Sequence, residues 1–141
     1  MQKLCASTFL FMLTFSACSS QKTEHAQKHE KKTKQVQNIR EIDVTTLYKI
    51  ISQNSITLLD VRTPQEYAQA HVPSATSVPL QDLESQLSTL ALKKNQDIYL
   101  ICAVGGRSFR AAQKLQQLGY HQVINVRGGT RGWQEKGYPV E

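Results

Sequence analysis

Asp97-Ile98-Tyr99-Leu100-Ile101-Cys102-Ala103-Val104-Gly105-Gly106-Arg107-Ser108 joins a continuous apolar run to a glycine-containing loop. Ile98 to Ile101 carries no polar residue at alternate positions, the pattern of a strand buried on both faces of a parallel sheet. Downstream, Ala111, Ala112, Leu115 and Leu118 fall on one helical face, and Gly119 follows as the residue that ends such a helix. The stretch therefore reads strand, loop, helix, with a helix start near Ser108.

The same alternation continues on both sides. Ile39 to Ile42 is a short strand, and Asp43 caps a helix whose face is Val44, Leu47, Ile50 and Ile51. Ile56 to Val61 is a second buried strand, and Pro64 opens a short helix through Ala70. Thr76 to Val78 is a minor strand. Leu80, Leu83, Leu87 and Leu90, spaced 3, 4 and 3, mark another helix. Val123 to Val126 is the last strand, and Gly128-Gly129 opens a helix holding Trp133. Alternating strands and helices predict one α/β domain over residues 39–141, with a parallel sheet flanked by helices on both faces. Its roughly 100 residues suffice for one core. In such sheets ligands bind outside the carboxyl ends of strands, and both Asp60 and Cys102 occupy such ends.

Residues 1–17 read as a secretory signal: Lys3, then uncharged Leu4 to Ala17. The run is too short for an ordinary membrane span. Phe15-Ser16-Ala17-Cys18 resembles the lipobox of bacterial lipoproteins, which implies lipidation at Cys18, export to the periplasm and a membrane anchor. A cleaved signal followed by a chance cysteine is the alternative. Residues 18–38 are polar and form a flexible basic tether. The formal charge of +6 concentrates there: residues 19–40 hold six bases and two acids, residues 41–141 ten bases and nine acids. The tether's charge suits anionic headgroups or a solubilising spacer, and nothing points to nucleic acid. Once Cys5 leaves with the signal and Cys18 takes a lipid, Cys102 has no disulfide partner.

A lone thiol is either an inert buried group or one kept for chemistry. Here Gly105 and Gly106 permit backbone conformations closed to other residues. Such a loop can turn the amides of Ala103, Val104, Gly105, Gly106 and Arg107 inward as an anion-binding nest. The helix start and the Arg107 guanidinium add positive charge. All of these lower a thiol pKa from about 8.5, and would equally hold a persulfide anion.

With those residues, the chain resembles the rhodanese-like, or sulfurtransferase, family over about residues 39–141. Three blocks carry the resemblance: Asp60-Val61-Arg62-Thr63-Pro64-Gln65-Glu66-Tyr67 through Ala75, the loop Cys102 to Arg107, and Val126-Arg127-Gly128-Gly129 with Trp133, Gly137 and Pro139. The resemblance implies a catalytic Cys102 that accepts sulfane sulfur as a persulfide. Ala103, Val104, Gly105, Gly106 and Arg107 would bind the substrate, and Asp60 and Arg62 would brace the region. Thiosulfate, polysulfide or a protein persulfide would be the donor, and a thiol or cyanide the acceptor. Ala103 and Val104 are uncharged, whereas many thiosulfate-using members carry basic or polar residues there. Ala70 and Ser74 stand where the family often has glycine. Neither a cofactor nor clustered metal-ligand spacing is expected, and His71 reads as structural.

Two other functions fit the same residue types. A Cys-dependent phosphatase or arsenate reductase of related fold uses five residues between Cys and Arg, whereas four stand here. A non-catalytic binding module of the family would not need the Cys102 and Arg107 that this chain has.

Overall fold

The computed structural model describes residues 38–141. The signal segment 1–17, Cys18 and the tether up to residue 37 lie outside the described residues. The elements run β1 (Arg40–Asp43), α1 (Val44–Gln53), β2 (Thr57–Asp60), α2 (Pro64–Gln69), β3 (Thr76–Ser77), α3 (Leu83–Leu90), β4 (Ile98–Ile101), α4 (Gly106–Gln117), β5 (Val123–Arg127) and α5 (Gly129–Glu135). All five strands pair in parallel in the order β1-β5-β4-β2-β3.

Local chemistry starts several helices. The Asp43 side chain accepts the Thr46 amide at 2.7 Å, satisfying one of the amides that a helix start leaves unpaired. Thr63 and Glu66 cap α2 reciprocally: Thr63 Oγ1 accepts the Glu66 amide, and the Glu66 carboxylate accepts the Thr63 amide. Gly119, at φ +88°, ends α4, and the Tyr120 amide returns to the Leu115 carbonyl at 3.0 Å.

The core forms on both faces of the sheet. Side chains alternate across a strand, so Ile98, Leu100 and Cys102 enter one cluster with Leu83, Ala111, Ala112 and Leu115 of α3 and α4. Tyr99 and Ile101 enter the other with Val44, Leu47 and Trp133 of α1 and α5. The parity of β4 therefore aims the Cys102 side chain at the α4 face before any loop geometry is considered.

Several element ends shift by a residue or more, and three of the shifts have a visible physical reason. Leu80 lies before α3: its amide reaches the Val61 carbonyl at 3.3 Å, and the Asp82 amide closes a turn on Pro79 at 2.8 Å. Its side chain still packs on the same cluster, which is why its spacing mimics a helix. Leu118 is the C-terminal cap of α4 and 39% exposed, beyond the end of the buried face. Helix α4 starts at Gly106, two residues ahead of Ser108, because left-handed Gly105 turns the chain directly into it.

Candidate active site

Cys102 follows the last residue of β4 and is a free, buried thiol. Beyond it, Ala103 to Gly105 form the loop, and Arg107 already lies in the first turn of α4. The Gly105 amide points at Cys102 Sγ, 3.1 Å away. Gly105 has φ +113°, a conformation that a side chain would strain. Gly106 does not share this role: it is helical, and a Cβ there would meet nothing within 4 Å.

What turns the loop inward is α5. The Thr130 amide donates to the Cys102 carbonyl at 2.8 Å, and the Arg131 amide to the Ala103 carbonyl at 3.0 Å. With those carbonyls held on a helix start, the Val104 and Gly105 amides face the sulfur. The grip needs a glycine at position 129, since a Cβ there would lie 2.2 Å from the Cys102 carbonyl oxygen. Gly129, read from the sequence as part of a helix opener and of one block of the family resemblance, is thus the contact that shapes the loop.

Below the sulfur lies a polar chain that sequence reasoning did not single out. Ser108 is fully buried on α4, and its hydroxyl lies 3.4 Å from Cys102 Sγ. The same hydroxyl lies 2.7 Å from Asn125 Oδ1 on β5, and Asn125 Nδ2 donates to Glu41 on β1 at 2.7 Å. Burial pushes the Cys102 thiol up. Hydrogen bonds from the Ser108 hydroxyl and from the Ser108, Gly105 and Val104 amides outweigh it, so the net displacement is downward. The direction matches the expectation, but the buried hydroxyl was not part of it.

Arg107 is placed differently from the expectation. Its guanidinium is engaged by Glu66, with Nη1 to Oε2 at 2.7 Å and Nη2 to Oε1 at 2.6 Å. Arg107 holds the Glu66 carboxyl down at about 2, against the cost of partial burial and with help from Thr63. Glu66 is fixed from its other side too, because its Oε2 also accepts Thr63 N and Oγ1, each at 3.0 Å. A T-x-x-E capping signature is a local mark that could have found Glu66 in the sequence; its pairing with a residue 41 positions away leaves no such mark.

Asp60 and Arg62 come together as a buried bidentate pair, with Nη2 to Oδ2 at 2.6 Å and Nε to Oδ1 at 3.0 Å. Arg62 Nη2 also donates to the Ala70 carbonyl at 2.8 Å, tying the end of β2 to the end of α2. The pair therefore positions the helix that carries Glu66. A cavity of about 80 Å³ lies between Arg107 and the segments Val61–Thr63 and Pro79–Gln81. His71 stacks on Tyr67 with ring centroids 3.8 Å apart and pairs its backbone with Glu141, remote from the sulfur in its contacts.

Comparison with known proteins agrees with this architecture. The family model described as rhodanese-like domain matches residues 43–136. A protein named sulfurtransferase from Allochromatium vinosum is 34% identical over 103 residues, which span 72% of this chain and 94% of that one. The putative sulfur carrier protein YrkF of Bacillus subtilis is 40% identical over 88 residues, 62% of this chain and 46% of that one. The crystal structure of a rhodanese-related protein from Thermoplasma volcanium superposes with a TM-score of 0.64 at 34% identity, covering 72% of this chain and 97% of that one.

Proposed function

This chain belongs to the rhodanese-like domain family, and on that premise we propose that it moves sulfane sulfur through a persulfide on Cys102. The observation that carries the reading is the convergence on Cys102 Sγ of the Gly105 amide and the Ser108 hydroxyl at the carboxyl end of a central parallel strand. Those donors stabilise a thiolate at Cys102 Sγ, the nucleophile that sulfur transfer requires.

In the first step the Cys102 thiolate attacks the sulfane sulfur of the donor. A Cys–S–S⁻ bond forms, and the donor's own sulfur bond breaks. With thiosulfate, sulfite leaves with the electron pair; with a persulfide, a thiolate leaves. In the second step a thiolate or cyanide takes the outer sulfur, regenerating the Cys102 thiolate. No proton or electron is left over in either step. Because Arg107 is paired with Glu66, the site offers little free positive charge, which favours the singly charged persulfide of a protein over dianionic thiosulfate.

Single-turnover exposure to a sulfane donor is expected to add about 32 Da, one sulfur, to Cys102 and to release it on adding cyanide, as a covalent intermediate requires. The reading fails if Cys102→Ser gains the same mass. We further propose that the domain is exported and anchored through a lipid on Cys18. Incorporation of a labelled fatty acid, lost in Cys18→Ser, is the expected result.

A further inference from the structure

We propose that Glu41 is a positioning residue for the Cys102 thiolate, acting through Asn125 on the single proton of Ser108. Glu41 and Asn125 are register partners on β1 and β5, and Asn125 is the register partner of Leu100 on β4. Paired residues of neighbouring strands project from the same face. Cys102, two positions after Leu100, therefore shares that face. Sheet register and α4 together place a carboxylate, an amide, a hydroxyl and a thiol in one line.

The hydroxyl of Ser108 has one proton and three acceptors within reach: Asn125 Oδ1 at 2.7 Å, the Gly105 carbonyl at 3.0 Å and Cys102 Sγ at 3.4 Å. The Gly105 carbonyl already accepts the Phe109 amide at 3.0 Å. That carbonyl keeps a second lone pair, so all three acceptors share the one proton, and Glu41 biases the contest toward Asn125. A carboxylate is acceptor-only, so it must face the Asn125 NH₂, as it does at 2.7 Å. That orients Oδ1 toward Ser108. If the Ser108 proton turns to the sulfur, two oxygens 2.7 Å apart face each other without a hydrogen between them. Glu41 therefore biases the Ser108 proton toward Asn125 and weakens, without abolishing, its hydrogen bond to the thiolate.

Replacing Glu41 by glutamine removes the constraint. The introduced side-chain amide can donate to Asn125 Oδ1, Asn125 can turn its NH₂ to Ser108 Oγ, and the Ser108 proton is then free for the sulfur. Other charges bear on the same groups. Arg127 Nε lies 3.9 Å from Glu41, and Arg107 acts electrostatically on Cys102 while paired with Glu66 and influenced by Asp60. Losing the Glu41 charge would also favour a thiolate by field alone, so the test must separate the two.

The test is the pH profile of iodoacetamide alkylation at Cys102, which is independent of sulfur transfer. Glu41→Gln is expected to move the midpoint down by about one unit, the size of a hydrogen bond to a charged group. Alkylation well below the midpoint would then be about tenfold faster. In a Ser108→Ala background the same substitution should move the midpoint only by the smaller field effect of the lost Glu41 charge. An unmoved or raised midpoint in the single variant overturns the proposal, as does a downward shift that survives undiminished in Ser108→Ala, since that is the signature of field alone. Glu41→Gln is nearly isosteric at an exposed position of β1, and the native circular dichroism spectrum is the check on folding.

Discussion

Two arginine–carboxylate pairs of the same chemistry flank the Cys102 loop, and their surroundings give them different work. In Asp60–Arg62 the side chains are 0% and 7% exposed; in Glu66–Arg107 both are 34% exposed. The first joins residues two apart and ties β2 to α2 through the Ala70 carbonyl. The second joins α2 to α4, and the cavity is lined by the arginine of each pair. Breaking a buried pair leaves an uncompensated charge in low dielectric, whereas breaking a half-exposed one returns both groups to water. The buried pair is therefore architecture, and the half-exposed pair decides how much of the Arg107 charge stays unpaired at the surface.

The comparison is most exposed to failure at Asp60. Asp60→Ala should lower the unfolding free energy by about 3–5 kcal/mol, measured by urea denaturation at neutral pH. A loss below about 1 kcal/mol would put this pair in the same class as the other. Gly129→Ala comes next. It must displace the Cys102 and Ala103 backbone, at an expected cost of about 1–3 kcal/mol, and it should slow alkylation of Cys102. Unchanged reactivity would mean that α5 is not what aims the loop, leaving the two pairs to do it.

Glu66→Gln should cost under about 1 kcal/mol at neutral pH, since glutamine also serves in a capping box. Its effect should instead be kinetic: with Arg107 released, KM for thiosulfate falls while kcat changes little. An unchanged KM would remove the proposed reason for disfavouring thiosulfate. The smallest effect is the acid limb. Glu66 is depressed in the fold to about 2 from an ordinary 4.5, so the stability it adds is complete above 4.5 and fades as pH falls toward about 2. Urea midpoints across that window should slope less in Glu66→Gln than in the parent protein; parallel slopes would mean that the pair adds no stability.

Most of the architecture is legible in the sequence because each strand and helix carries its own period. The Ile98–Ile101 run, the Asp43 cap and the Gly119 terminator are decided by near neighbours, and their boundaries agree with the sequence reading closely. Leu80 and Leu118 fall outside the helices their spacing suggests, because an apolar spacing reports packing onto a core, not helical backbone. The site is legible in part. Cys102 and the positive φ of Gly105 follow from a thiol and a glycine at a strand end. Gly106, adjacent and identical in type, is ordinary helix. Ser108, Asn125 and Glu41 carry no local mark, since a serine in a helix and an asparagine in a strand are commonplace until they face each other.

By itself, the order of residues determined an alternating parallel fold and placed a lone thiol, two glycines and an arginine between a buried strand and a helix. Periodicity and turn chemistry act over a few residues, so no long-range knowledge was needed. Only the tertiary structure decided which carboxylate satisfies Arg107 and which acceptor holds the Ser108 proton. Those partners lie 41 and 17 positions away in the chain. Hydrogen bonds act over about 3 Å, so their choice depends on strand register and helix placement, which no short stretch of sequence contains.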